Sequence, residues 1–334
     1  MKMLTLDKVF HARTVLKPIL RETDVVRANA IDSDCELYLK LENLQITGSF
    51  KVRGAAYKIA MLSEEEKRKG VVACSAGNHA QGVALAATKN GIKSLICLPE
   101  KAPRSKVEAT KAFGGTVCLV KGCYDDAYEK ALEFKEQKGY TFVHPFDDED
   151  VIAGQGTIAL EILSSLDEID AMIVPIGGGG LISGIAYTAK QICPSIKIYG
   201  VQVAGAPSMY NSMKEGEIQC LHSVQTIADG IAVKKPGENT YSLVKQYVDD
   251  IALVTDEEVA NAILALVKKE KMIAEGAGAV AVAAVMANKF DLKGKRVVAI
   301  VSGGNIDTTI LSHIIVNQEE RRFKAQENGG EISE

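Results

Sequence analysis

The sequence predicts an α/β fold of two doubly wound lobes, on three observations. Short β-branched runs alternate with helical stretches along most of the 334 residues. Most of those runs are apolar throughout rather than alternating, the pattern of parallel strands covered on both faces. The composition, 47% hydrophobic and 25% charged, is that of an ordinary globular chain and excludes a disordered or fibrous one. A mass of 35.8 kDa suggests about two domains, each able to bury a sizeable core.

The elements follow in order. VVAC (71–74) precedes a helix over 79–89, which Gly91 closes at its C-terminus. IKSLICL (92–98) comes next, with Pro103 at the start of another helix. TVCLV (116–120) leads into a helix over 124–138, and YTFVH (140–144) follows it. AMIVPI (171–176), IKIYGVQV (196–203), DIALV (250–254) and RVVAIVS (296–302) continue the rhythm, with a helix over 256–271. No Pro/Ser-rich linker and no internal repeat divides the chain. Four strand–helix units crowd between residues 70 and 147, which predicts a small mobile lobe of 70–147. The segments 1–69 and 148–317 then make a larger, discontinuous lobe. The polar stretch 318–334, with Gly329 and Gly330, is expected to fray as a tail.

Net charge is −4, from 39 basic and 43 acidic residues, with no Trp and no Lys/Arg-rich run. That balance argues against a nucleic-acid partner. The N-terminus has no apolar core of signal-peptide length, and the uncharged stretch 171–189 is broken by Pro175 and the glycine run 177–180. The apolar run 277–287 is too short to span a bilayer. A cytoplasmic protein without membrane segments is therefore expected. The seven cysteines are scattered, with no CxxC and none near a His at ligand spacing. They are expected to be reduced, buried thiols, and no metal site is expected.

Open α/β sheets bind ligands beyond the carboxyl ends of their strands, and four segments lie at such ends or beside them. PIGGGGLISG (175–184) places Gly177, Gly178, Gly179, Gly180 and Leu181 between a strand and a helix. Its amides can converge on an anion, with the helix dipole behind them. It is neither a nucleotide P-loop nor GxGxxG. SAGNHAQ (75–81) brings Ser75, Asn78 and His79 to a helix start, and SGGN (302–305) opens with Ser302. NLQITGSFKVRG (43–54) carries Phe50, Lys51 and Arg53. A phosphate cradle without a nucleotide motif, together with a lysine, suggests a phosphorylated aldehyde bonded to that lysine. GAGAVA (276–281) matches GxGxxA formally, but it follows a helix and lacks the acidic residue expected about 20 residues on.

ENLQITGSFKVRGA, SAGNHAQG, IGGGGL and SGGN, in this order, resemble the fold-type II pyridoxal-phosphate enzymes related to the tryptophan synthase β chain. The closest resemblance is to the serine/threonine dehydratases, and it extends over about residues 10–315. It implies two lobes with pyridoxal 5'-phosphate in the cleft between them. Lys51 is then the lysine bonded to the cofactor aldehyde, and Phe50 packs against the ring. Gly177, Gly178, Gly179, Gly180 and Leu181 hold the phosphate. Asn78 meets the ring oxygen, and Ser302 the pyridine nitrogen. Ser75, Asn78 and His79 lie on the loop that receives the substrate carboxylate.

The implied activity is deamination of L-threonine to 2-oxobutyrate and ammonia, with L-serine as a second substrate. Hydroxyaspartate dehydratases and serine racemases are sibling activities. A nicotinamide-dependent dehydrogenase and a non-catalytic metabolite-binding regulator are the alternatives from other classes. The racemases carry a serine where this chain has Ala76, and a methyl group cannot exchange a proton. They also carry a metal-binding glutamate where Gln202 stands. Only 29 residues follow Asn305, too few for the regulatory domain of the biosynthetic dehydratases. The resemblance is therefore to the short catabolic type, without feedback by isoleucine. Some of its members respond to adenosine monophosphate (AMP) at a subunit interface, and a homodimer or homotetramer is implied. Both expectations come from the resemblance alone.

Overall fold

The computed structural model describes residues 4–327, with side chains to residue 317. Ten strands and thirteen α-helices are found among them, with two single-turn 3-10 helices. The chain begins with α1 (Leu6–Leu16), β1 (Val25–Arg27), β2 (Glu36–Lys40), α2 (Lys51–Ala60) and α3 (Glu64–Lys69). Then come β3 (Val71–Cys74), α4 (Asn78–Lys89), β4 (Ser94–Pro99), α5 (Arg104–Ala112), β5 (Thr116–Val120), α6 (Tyr124–Lys138) and β6 (Thr141–Phe142). The middle holds α7 (Glu149–Ser165), β7 (Ala171–Pro175), α8 (Gly180–Ile192), β8 (Lys197–Val203), α9 (Ser208–Glu215) and α10 (Glu238–Tyr247). The last part is β9 (Asp250–Val254), α11 (Asp256–Lys269), α12 (Gly276–Met286), β10 (Arg296–Ile300) and α13 (Thr308–Glu327).

The strands form two sheets, of order β1-β2-β10-β7-β8-β9 and β5-β4-β3-β6. Every pairing is parallel except that of β1 with β2. Burial on both faces explains the continuous apolar runs. In β7, Ala171 and Ile173 join the core under α11 and α12, while Met172 and Val174 join the one under α7 and α8. In β3, Val71 and Ala73 face α2 and α4, and Val72 and Cys74 face α6. The second sheet draws only on residues between Val71 and Phe142, and the first on both flanking stretches.

Two helices cross tightly over the start of α2. A Cβ on Gly82 of α4 would lie 3.0 Å from Val52 Cα, and one on Gly154 of α7 would lie 2.6 Å from the Arg53 carbonyl. Glycine at both positions lets the backbones approach and wedges the segment after Phe50 between α4 and α7.

Three expectations need correction. Strands β1 and β2 have no counterpart in the sequence reading. β2 is short and ends on Lys40, a buried ammonium paired with Glu161, so its pattern is not that of a core strand. The expected tail is helical to Glu327, and residues 328–334 lie outside the described residues. Of the seven thiols, only Cys74 and Cys97 are buried, and Cys123 and Cys220 are exposed. Among the described residues no helix is long and apolar enough to cross a membrane.

Candidate active site

Lys51 opens α2 immediately after Phe50, whose backbone N–H donates to Ser302 O (3.1 Å). The Lys51 amine donates to Pro145 O (3.0 Å) and lies 5.3 Å from the centre of the Phe50 ring. Desolvation pushes it down to about 8, and the charge of Glu275 opposes that shift only in part. An amine so disposed is part-neutral near neutral pH, as a nucleophile or a proton carrier requires.

The glycine run turns into α8 at Gly179, whose φ of +98° favours glycine. The first amides of α8, from Gly180 and Leu181 onward, have no acceptor inside the helix and sit at its positive end. Neighbours fill the space a side chain would take. A Cβ on Gly178 would lie 2.5 Å from the Phe146 ring, one on Gly179 2.8 Å from Met209 and Thr240, and one on Gly180 2.9 Å from Phe146 Cα. For Gly177 the nearest atom is Ile231 Cα at 3.1 Å. Thr240 Oγ1 donates to Gly178 O (2.6 Å), which turns that carbonyl into the protein.

Asn78, the first residue of α4, is held at both ends of its amide. Its Nδ2 donates to Glu275 Oε1 (2.6 Å), and its Oδ1 accepts from Asn305 Nδ2 (2.7 Å), which also donates to Thr47 O (2.8 Å). The Thr47 carbonyl can only accept, which fixes Asn305 and, through it, the one Asn78 orientation that satisfies the whole chain. Glu275 is buried, and desolvation pushes its carboxyl up to about 7. Ser302 Oγ donates to Ala277 O (3.2 Å), and Ser49 and Gly303 form an isolated antiparallel bridge. Ser75 Oγ accepts from Gly77 N–H (3.1 Å). His79 is 3% exposed and donates from Nε2 to Val143 O (2.8 Å). Burial pushes its pKa down to about 3, so the ring is neutral.

Below Lys51 runs a fully buried charge network. Arg53 donates to Glu42 (2.7 and 2.8 Å) and to Glu161 (2.6 and 2.8 Å). Lys40 donates to Glu161 (2.5 Å), and Thr23 to Glu42 (2.5 Å). The Arg53 guanidinium and Lys40 ammonium hold the Glu42 carboxyl below its usual range despite burial. The network ties α2 to the end of β2 and to α7.

The four motifs therefore meet. Ser302 bonds Phe50, a Cβ on Gly303 would lie 3.3 Å from Asn78 Nδ2, and Phe146, next to the Lys51 acceptor Pro145, packs on the glycine run. Sequence reasoning missed Glu275 and the segment after His144, and gave Asn305, the last residue of SGGN, no role of its own. Glu275 directly precedes GAGAVA, the one available signal, but that string fails as a dinucleotide site and points to no acidic residue before it. Gln202 has its amide engaged, Oε1 accepting from Tyr210 N–H (2.8 Å) and Nε2 donating to Ile176 O (3.4 Å). Among the described residues no group of three His, Cys, Asp or Glu could hold a metal.

A desolvated lysine amine beside a glycine loop at a helix N-terminus defines an α/β enzyme built around a phosphorylated carbonyl cofactor. The residues fit pyridoxal phosphate: amine, cradle, fixed amide and hydroxyl are all present. The sequence model for pyridoxal-phosphate dependent enzymes matches residues 16–303, and the chain belongs to that family. It is 51% identical over 315 residues to L-threonine ammonia-lyase of Thermotoga maritima, covering 94% of this chain and 78% of that protein. It is 45% identical over 315 residues to the catabolic L-threonine dehydratase TdcB of Escherichia coli K12, covering 93% and 96%. Maize serine racemase superposes with a TM-score of 0.89 at 36% identity, covering 95% of this chain and 98% of that one.

Proposed function

We propose that the protein is a lyase that deaminates L-threonine to 2-oxobutyrate and ammonia, with L-serine giving pyruvate as a slower second reaction. The carrying observation is the buried Lys51 amine held on Pro145 O (3.0 Å), the residue before the Phe146 that packs on the glycine run. The identities of 51% and 45% to a threonine ammonia-lyase and a threonine dehydratase support the choice of substrate.

In this reading the amides of 177–181 would hold the cofactor phosphate, Phe50 would pack on the ring, Asn78 would give its second Nδ2 hydrogen to the ring oxygen, and Ser302 would turn its hydroxyl from Ala277 O to the pyridine nitrogen. Bound there, pyridoxal phosphate supplies an electron sink that acidifies the substrate Cα–H. Lys51 carries the Cα proton. Ser75 and the backbone amides of Asn78 and His79 would receive the carboxylate, because the Asn78 side chain and the His79 ring are engaged elsewhere. With a hydroxyl rather than a carboxylate, Ser302 would offer no negative charge to hold a proton on the ring nitrogen, which would favour β-elimination over transamination. The β-hydroxyl leaves as water, and hydrolysis of the enamine returns that water and frees ammonia. Two-base racemisation has no second acid at Ala76.

The test is keto-acid and ammonia release from L-threonine, L-serine, D-serine and 3-hydroxyaspartate in separate incubations. Fastest turnover of L-threonine, to 2-oxobutyrate, is expected. Silence on L-threonine with turnover of another of the four overturns the substrate assignment.

A further inference from the structure

The segment 144–147 joins parts of the site that come from distant stretches of chain. His144 Nδ1 accepts the backbone N–H groups of Phe146 (3.3 Å) and Asp147 (2.8 Å). A ring nitrogen that accepts two amides carries no proton, so the hydrogen is on Nε2 and His144 is neutral. Burial and the Lys51 charge both favour the neutral ring, and Asp147 and Asp148 oppose it. The ring stands edge-on to Phe142 at 6.1 Å and to Phe146 at 4.7 Å.

The turn folded in this way makes three contacts. Pro145 O accepts the Lys51 amine. Phe146 lies where Cβ atoms on Gly178 and Gly180 would be. The Asp147 carboxylate accepts the N–H groups of Glu238 (3.0 Å) and Thr240 (3.1 Å), and Thr240 in turn donates to Gly178 O. One short turn thus touches the reactive amine, the glycine run and the helix that braces that run.

We infer that His144 is a positioning residue whose Nδ1 folds the 145–147 turn and so sets the Lys51 amine and the glycine cradle at a fixed separation. The inference rests on the functional reading above only for the identity of what the cradle holds.

Three variants of the holoenzyme test it. In His144→Asn the side-chain oxygen falls where Nδ1 was. In His144→Gln it sits one methylene farther out, and His144→Leu has no acceptor. Two quantities are read: site-resolved deuterium exchange at the amides of Phe146 and Asp147, and the rate at which pyridoxal phosphate is released. The Asn variant should match wild type within about twofold in both. The Gln and Leu variants should exchange and release roughly tenfold faster, as expected for the loss of backbone hydrogen bonds. Wild-type behaviour of the Gln variant, or equal losses in Asn and Gln, overturns the inference. Should the Leu variant not fold, the Asn–Gln contrast decides. A wild-type protein that takes up no pyridoxal phosphate would defeat the functional reading, while the exchange contrast would still decide on His144.

Discussion

Asn78 donates to Glu275 at 2.6 Å across 197 positions of sequence, and the carboxyl that receives it is buried with its pKa pushed up to about 7. The amide proposed to meet the cofactor therefore rests on a group that changes charge near neutral pH.

Glu275 has a sign that can be checked. Its folded pKa stands above the ordinary 4.5. Its contribution to stability is thus fully present below about pH 4.5 and is lost as pH rises through about 7. Glutamine cannot titrate but keeps the acceptor for Asn78. In cofactor-free protein, Glu275→Gln should gain stability over wild type by up to about 3 kcal/mol between pH 5 and 8.5. Urea unfolding at the two values measures it, and a pH-independent difference contradicts the assignment.

Lys51→Ala should abolish turnover and the visible absorbance of the bound cofactor. Retention of both would sink the assignment of the amine. In cofactor-free wild type, the pH dependence of Lys51 acylation followed by mass spectrometry should have its midpoint near 8.

Gly178→Ala drives a methyl into the Phe146 ring, at 2.5 Å in the present geometry. Cofactor affinity should fall at least tenfold, as the loop or the ring must shift. Adding Phe146→Ala vacates that space, so the double variant should bind pyridoxal phosphate more tightly than the sum of the two losses predicts. Additive losses in a fluorescence titration would show that the ring does not set the loop.

Arg53→Met leaves Glu42 and Glu161 buried without their guanidinium. Removing one partner of a buried ionic network costs about 3–5 kcal/mol. Chemical denaturation should show a loss of that size, and one below 1 kcal/mol would mean that water or Lys40 compensates.

Fold class was legible because the central strands β3, β4, β7 and β10 are runs whose alternate residues enter different cores, so both registers are apolar. What escaped was short or charged: β1 has three residues, and β2 ends in Lys40, which is tolerable inside only because Glu161 lies opposite. The site divides in the same way. Lys51, the glycine run and Asn78 stand in compact strings whose chemistry shows in one dimension. Glu275, Asn305 and His144 act through partners 197, 258 and two or three positions away. Nothing in a string of letters says that Asn305 reaches Thr47, or that a histidine accepts from its own turn. Arg53 shows the opposite limit, since a motif arginine that resembles a surface charge is among the most buried side chains of the chain.

The parallel pairing of β2 with β10 sets Glu36 beside Arg296, and Ser49 bridges Gly303. A ribosome must therefore release the chain through Gly303 before the floor beneath Lys51 can close. The sheet of β3 to β6 is complete some 150 residues earlier and can collapse as it emerges. Capture of the cofactor then waits for β10 and the strip that follows it. A chain cut before β10 would carry the lysine and the glycine run without the Ser302–Asn305 strip that joins them, and should leave the cofactor in solution.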